Sequence, residues 1–280
     1  MYEDFYGFTE PPFNVTPDPR FLYRSASHRD ALAYITYGVF QRKGFIAVTG
    51  EVGVGKTTVV GAFVDLFQPS LEVAFVFSTK FAFDQFLYLI CKDFGLDVEG
   101  KNKAQMLLAL NDFLIKQNES NRNSLLIIDE AQNLSLDVLE ELRMLSNLET
   151  RDRKLLQIML VGQPELETIL NMNEMRQLRQ RIPGICRISM LNREDVENYI
   201  KYRLNVARGR NGGAHFTADS FDEIFHYSAG IPRLINILCD RILLIGYVAN
   251  TRVIDGRTVR EGIRDLESPY PRSGERRIRP

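Results

Sequence analysis

The stretch that most restricts the fold is FIAVTGEVGVGKTTVV at residues 45–60. An apolar run gives way to Gly50, Gly53 and Gly55, then to a lysine and paired threonines. Residues 50–57, GEVGVGKT, fit G-x-x-x-x-G-K-[ST] in the required setting, a strand before and a helix after. Glycines let the backbone turn tightly and bring its N–H groups to phosphate oxygens. The following helix directs its positive end to the same point. Lys56 supplies a mobile charge for β- and γ-phosphates, and the Thr57 hydroxyl suits Mg²⁺. The candidate nucleotide-binding segment is Gly50, Glu51, Val52, Gly53, Val54, Gly55, Lys56, Thr57 and Thr58. A plain glycine turn with a surface lysine would not need this spacing between strand and helix.

Further apolar runs follow at 73–78 (VAFVFS), 124–130 (SLLIIDE), 155–162 (LLQIMLVG) and 186–190 (CRISM). They are apolar throughout rather than alternating, as strands covered on both faces must be. Helical spacing falls at 27–42, with Ser27 as its cap, and at 57–67, 84–94, 103–117, 136–147 and 173–181. Strand–helix alternation predicts a parallel α/β sheet. After Asn192, a cap with Asp195 three residues on, the pattern turns to about four helices. The expected organisation is an extended arm over 1–25, an α/β domain over 26–191, a helical domain over 192–267 and a disordered tail over 268–280. The arm, EPPFNVTPDPRFLY, reads as turns rather than helix because of its prolines.

With 280 residues, 35 basic and 36 acidic, the chain has no global pull toward nucleic acid or an anionic membrane. Cys91, Cys186 and Cys239 are scattered and form no metal-ligand spacing, so they read as free core thiols in a reducing compartment. The opening MYEDFYGFTEPPF is acidic and proline-broken, unlike a signal peptide. The longest apolar run, 242–249, is too short for a bilayer, which predicts a cytoplasmic chain without a transmembrane segment.

LLIIDEAQ ends a buried strand with Asp129 and Glu130. On a strand adjacent to the phosphate loop, Asp129 would hold Mg²⁺ and Glu130 would orient and polarise the attacking water. A buried strand can also end in Asp simply to cap a helix; the upstream loop favours the functional reading. Gln163, closing LVGQ, is placed to contact the γ-phosphate or the water, or is an ordinary turn residue. RQLRQRIPG carries Arg176, Arg179 and Arg181. One of the last two is the candidate arginine finger, acting on a neighbouring subunit's nucleotide; the plain alternative is a solvated basic face. Arg233, opening a helix behind GIP, would report the bound nucleotide in cis, or face solvent.

These residues together resemble an AAA+ ATPase, and more narrowly the group of general secretion pathway protein A and the MSHA-pilus biogenesis ATPase, with relatives at exosortase and exopolysaccharide loci. The resemblance rests on the opening MYEDFYGFTEPPFNVTPDPRFLY, on GEVGVGKTT, LLIIDEAQNL, LVGQPEL, LRQRI and GIPRLIN, and covers residues 1 to about 267. It implies a P-loop NTPase fold, a three-layer α/β/α parallel sheet with a C-terminal helical lid. It also implies ATP and Mg²⁺ as ligands and nucleotide-dependent homo-oligomers. Lys56 and Thr57 become the Walker A pair, Asp129 and Glu130 the Walker B pair, Gln163 sensor 1 and Arg233 sensor 2. Gln163 stands where asparagine or threonine is more usual. Tyr23 and His28 fall where such proteins contact adenine, although helix-start packing explains them equally. Secretion relatives continue into a membrane span and a peptidoglycan-binding domain, so the chain is either a free-standing cytosolic ATPase or lacks a downstream part.

Three functions compete. The first is ATP-driven assembly of an envelope secretion, pilus or exopolysaccharide export system, with machinery proteins at the inner membrane as partners. The second is a DNA-associated ATPase of the transposition-regulator type, motivated by eight arginines against five acids over 251–280. The third is a nucleotide-gated scaffold with scant turnover, which the presence of Glu130 disfavours.

Overall fold

The computed structural model describes residues 1–16, 18–77, 81–209 and 213–268. The chain forms two units: Arg24–Ser189, and Met1–Tyr23 together with the residues from Met190 onward. The tail expected to be disordered lies outside the described residues from 269 on.

The first unit holds β1 (Phe45–Thr49), β2 (Leu71–Phe77), β3 (Asn123–Asp129), β4 (Leu156–Gly162) and β5 (Ile185–Arg187) in one parallel sheet, ordered β2-β3-β4-β1-β5. Every residue of β1, β3 and β4 is buried, which is why their sequences are unbroken apolar runs. The outer strands β2 and β5 are only partly covered. Helices Lys56–Phe67, Phe83–Asp93, Lys103–Glu119 and Leu136–Leu145 lie close to the bounds their spacing predicts. A further helix, Glu165–Leu170, buries Leu166 and Leu170 four residues apart. The region 173–181 divides into a 3₁₀ turn, Asn173–Met175, and a short helix, Arg176–Arg179.

Three expectations are corrected. The first helix runs Ala26–Phe40, and its cap is Ser25, whose Oγ accepts the His28 N–H; Ser27 sits in the first turn, where its Oγ accepts the Ser189 N–H at 3.3 Å. The strand of paired acids is not adjacent to the strand of the phosphate loop, because β4 lies between β1 and β3. Apolar runs announce strands but not their order. The opening segment is not wholly extended either: Tyr2–Tyr6 is helical, with Glu3 and Asp4 in its first turn and Gly7 ending it in the left-handed region. The prolines begin only at Pro11, beyond this turn.

The second unit packs that arm into a helical core. Helices Arg193–Val206, Ala218–Ser228, Pro232–Val248 and Gly256–Glu267 are joined by a two-stranded parallel sheet, His215–Phe216 with Val253–Ile254. Asn192 caps the first of them as its sequence predicts, accepting the Asp195 N–H at 2.8 Å. Tyr2, Tyr6, Phe8, Phe13 and Phe21 share one hydrophobic cluster with Ile200, Leu238 and Leu243. The arm's aromatics are therefore core. Buried Arg203 fastens it, donating to the carbonyls of Pro12 (2.6 Å) and Asn14 (3.1 Å) and to Tyr199 Oη (2.9 Å).

Candidate nucleotide site

β1 ends at Thr49, and the chain passes through 50–55 into helix Lys56–Phe67. Gly53 and Gly55 have φ of 82° and 102°, the left-handed region that disfavours any Cβ. At Gly55 a Cβ would also stand 3.2 Å from His28 Nε2. Among the described residues, the N–H groups of Gly53, Gly55, Lys56 and Thr57 find no protein acceptor. They form a run of donors at a helix start, suited to an anion. Val52 is half exposed at the tip, while Val54 is fully buried beneath it.

The Lys56 ammonium donates to the carbonyls of Gly50 (2.8 Å) and Glu51 (3.0 Å). Burial pushes its pKa down, partly offset by the Glu130, Asp129, Glu51 and Glu165 carboxylates. Thr57 Oγ1 donates to Asp129 Oδ2 at 2.8 Å, so the loop reaches the acid strand past the intervening β4. Asp129 is 3% exposed, and its Oδ1 accepts the N–H of Glu130 at 2.9 Å.

Glu130 has a positive φ of 52°, a costly conformation for a residue with a side chain. Its Oε2 accepts amide hydrogens from Gln132 (2.6 Å) and Gln163 (3.0 Å). Burial would raise its carboxyl pKa, but those two amides and the Lys56 charge outweigh burial and hold it below the usual range. Sequence reasoning singled out Gln163 but not Gln132, although DEAQ displays it.

His28 is the other support that spacing alone did not reveal. It is buried, with Nε2 3.1 Å from the Val54 carbonyl and Nδ1 2.6 Å from Ser25 Oγ. A carbonyl only accepts, so Nε2 carries a proton, and in the neutral ring Nδ1 then accepts from the serine. Tyr23 belongs to the other unit, where its hydroxyl donates to Asp195 at 2.9 Å. Beneath the loop, Glu167 is mostly buried. It accepts Thr49 Oγ1 at 2.6 Å and Arg187 Nε at 2.8 Å, joining the ends of β1 and β5 to helix Glu165–Leu170.

The arginines are differently occupied. Arg181 Nη1 donates to the Arg143 carbonyl, Ser146 Oγ and Asn147 Oδ1, closing the end of helix Leu136–Leu145. Arg179 donates once, to the Ile182 carbonyl at 2.9 Å. Arg176 is exposed. Arg233 is exposed on the first turn of helix Pro232–Val248 in the helical unit, behind a turn in which Ala229 and Gly230 have positive φ. Cys91 and Cys239 are buried and Cys186 half-buried; all three are free, and burial pushes the Cys91 thiol to about 11. Among the described residues no helix is long and apolar enough to cross a membrane, and no cluster of three metal-ligating side chains occurs.

A parallel sheet in this order, with a Gly-Lys-Thr cradle after β1 and paired acids at the end of β3, defines the P-loop nucleoside triphosphatase class. The AAA domain family (AAA_22) matches residues 39–170. General secretion pathway protein A of Aeromonas hydrophila is 38% identical over 257 residues, which are 91% of this chain and 46% of that protein. The Holliday junction branch migration complex subunit RuvB of Mycoplasmopsis synoviae is 24% identical over 188 residues, 60% of this chain and 56% of that protein. The chain thus spans about half the length of the curated relatives it matches. Among solved structures, the ORC2 protein of Aeropyrum pernix superposes with a TM-score of 0.69 at 17% identity, over 91% of this chain and 72% of that one. Cdc6p of Pyrobaculum aerophilum gives 0.67 at 15%, over 94% and 71%. The RuvB branch migration motor of Thermotoga maritima gives 0.57 at 16%, over 88% and 73%. At such identities these structures speak for the fold alone. The chain belongs to the AAA+ ATPases, in the group of general secretion pathway protein A.

Proposed function

We propose that the chain binds ATP with Mg²⁺ at the 50–58 loop and hydrolyses it as a homo-oligomer, driving or timing assembly of an envelope secretion, pilus or exopolysaccharide export system. The observation that carries this reading is the Thr57–Asp129 hydrogen bond at 2.8 Å. It brings a hydroxyl and a carboxylate, both hard oxygen donors of the kind Mg²⁺ takes, to the foot of an amide-lined loop. Mg²⁺, when bound, neutralises charge on the β- and γ-phosphates. Lys56 exchanges its loop carbonyls for phosphate oxygens, and the N–H groups of Gly53, Gly55, Lys56 and Thr57 cradle the rest. In hydrolysis a water oxygen bonds to the γ-phosphorus while the bond to the β,γ-bridging oxygen breaks, giving ADP and phosphate. Glu130 orients that water through Oε1 and takes its proton. Gln163 steadies the carboxylate. An arginine of 179–181 serves a neighbouring copy's nucleotide. Arg179, with one hydrogen bond against three for Arg181, is the less committed of the two.

The assembly role draws on the relative's name and its 38% identity. A coupled ATPase assay with and without EDTA tests the chemistry. Lys56→Ala is expected to lose binding of a fluorescent ATP analogue. Glu130→Gln is expected to keep that binding, lose about 99% of turnover and accumulate the larger oligomer in light scattering. Equal turnover in wild type and Glu130→Gln would refute hydrolysis at this site.

A further inference from the structure

Gln132 lies in the 3₁₀ turn Ala131–Asn133 that follows β3. The two ends of its amide face two different strand ends. Oε1 accepts the backbone N–H of Gln163 at 3.1 Å, and Nε2 donates to Glu130 Oε2 at 2.6 Å. An N–H can only donate, so the end of β4 dictates which way round this amide lies and leaves its NH₂ to the carboxylate. The Gln163 side chain closes the ring by donating to the same Oε2 at 3.0 Å. Gly162 makes the room, because a Cβ there would stand 2.9 Å from Gln132 Oε1. Oε2 is therefore held by donors from two elements, while among the described residues Oε1 takes no protein donor.

We propose that Gln132 is a positioning residue for Glu130, fixing Oε2 against the end of β4 so that Oε1 is the oxygen presented to water. The assignment rests on the hydrolytic reading above. A carboxylate held by one donor can pivot about that bond. A second donor, itself locked by a backbone N–H, removes the pivot. The lock matters more than usual here, because Glu130 sits on a strained backbone and needs its side chain to be directed from outside. The same ring makes the proposed sensor at Gln163 and the proposed base at Glu130 one hydrogen-bonded unit, joined twice, once through the Gln163 backbone and once through its side chain.

The test measures steady-state ATP turnover and nucleotide binding for wild type, Gln132→Ala and Gln132→Glu, and repeats Gln132→Ala in the Glu130→Gln background. Gln132→Ala is expected to lower kcat about 10- to 100-fold. KM and the binding constant of a fluorescent ATP analogue should stay within about threefold, the pattern of a group that acts only on the chemical step. Gln132→Glu keeps the shape and still accepts from the Gln163 N–H, but when ionised it faces Glu130 Oε2 with a like charge instead of a donor; it should lose kcat at least as far, and its melting temperature, measured alongside, separates a positioning loss from a folding defect. In the Glu130→Gln background, Gln132→Ala should change the residual rate by less than about twofold, since no carboxylate is left to position. A wild-type kcat in either Gln132 variant, or an equal loss in the Glu130→Gln background, overturns the assignment. Wild type no faster than Glu130→Gln overturns hydrolysis and this inference with it. An inactive Glu130→Gln beside a fully active Gln132→Ala overturns this inference alone.

Discussion

Replacing His28 with alanine tests whether the phosphate loop is held from below. The imidazole is 4% exposed and spans two partners, the Val54 carbonyl at 3.1 Å and Ser25 Oγ at 2.6 Å. Its loss leaves the carbonyl of a fully buried residue unmet, which costs about 1–3 kcal/mol. The buried ring's own packing adds about 1 kcal/mol or more. The expected destabilisation is therefore about 2–4 kcal/mol, read as a lower urea midpoint at unchanged m-value. The loop should also bind nucleotide more weakly, by about tenfold if 1.4 kcal/mol of its ordering is lost. His28→Ala is compared with wild type by urea unfolding and by titration with ATP and GTP analogues. An unchanged midpoint with a selective loss of ATP over GTP would refute the buttress and favour a direct adenine contact.

Two further outcomes follow from the same geometry. Glu167 has its carboxyl pKa lowered, chiefly by the Arg187 hydrogen bond and further by Thr49, against the opposing effect of burial. A carboxyl lowered on folding lends stability above its unfolded value of about 4.3 and loses it as pH falls through the folded value; Glu167→Gln should flatten that acid limb in melts from pH 7 to pH 3, and an unaltered limb would contradict the assignment. Arg203→Met removes three hydrogen bonds, two of which fasten the opening arm, leaving acceptors unmet at about 1 kcal/mol or more each. Limited proteolysis should then cut near residues 12–20 well before the rest, and wild-type resistance there would show that aromatic packing alone holds the arm.

Composition and periodicity reach the fold class because buried parallel strands leave few choices. β1 lies on the bounds its apolar run predicts, and the other central strands lie within a residue or two. What the pattern lacks is order across the sheet. Nothing in LLQIMLVG says that β4 inserts between β1 and β3, since both of its neighbours are equally apolar. Two-residue strands such as His215–Phe216 are too short to carry a period of two, and the opening helix is one turn whose buried tyrosines stand next to proline-rich sequence. Local spacing also cannot choose between Ser25 and Ser27 as a cap; the choice falls to Ser25, whose hydroxyl also meets His28 Nδ1.

The candidate site divides along a similar line. Lys56, Thr57, Asp129 and Glu130 are legible because the chemistry of a phosphate and a divalent cation demands those side chains at those strand ends. His28 and Gln132 are not, because each acts on another residue rather than on a ligand, and many residue types can support a loop or a carboxylate. The two supports differ in what their sequence could have given away. His28 is 26 residues from Val54 along the chain, so only the packing of helix Ala26–Phe40 reveals the contact. Gln132 is two residues past Glu130 and visible in DEAQ, yet its effect depends on the backbone N–H of Gln163, just past the end of β4 and 31 residues further on. That dependence predicts an asymmetry. Shortening Gln132 should affect Glu130 alone, whereas a side chain at Gly162, which meets both Gln132 Oε1 and Leu166 at about 3 Å, should disturb the carboxylate and the packing of helix Glu165–Leu170 together.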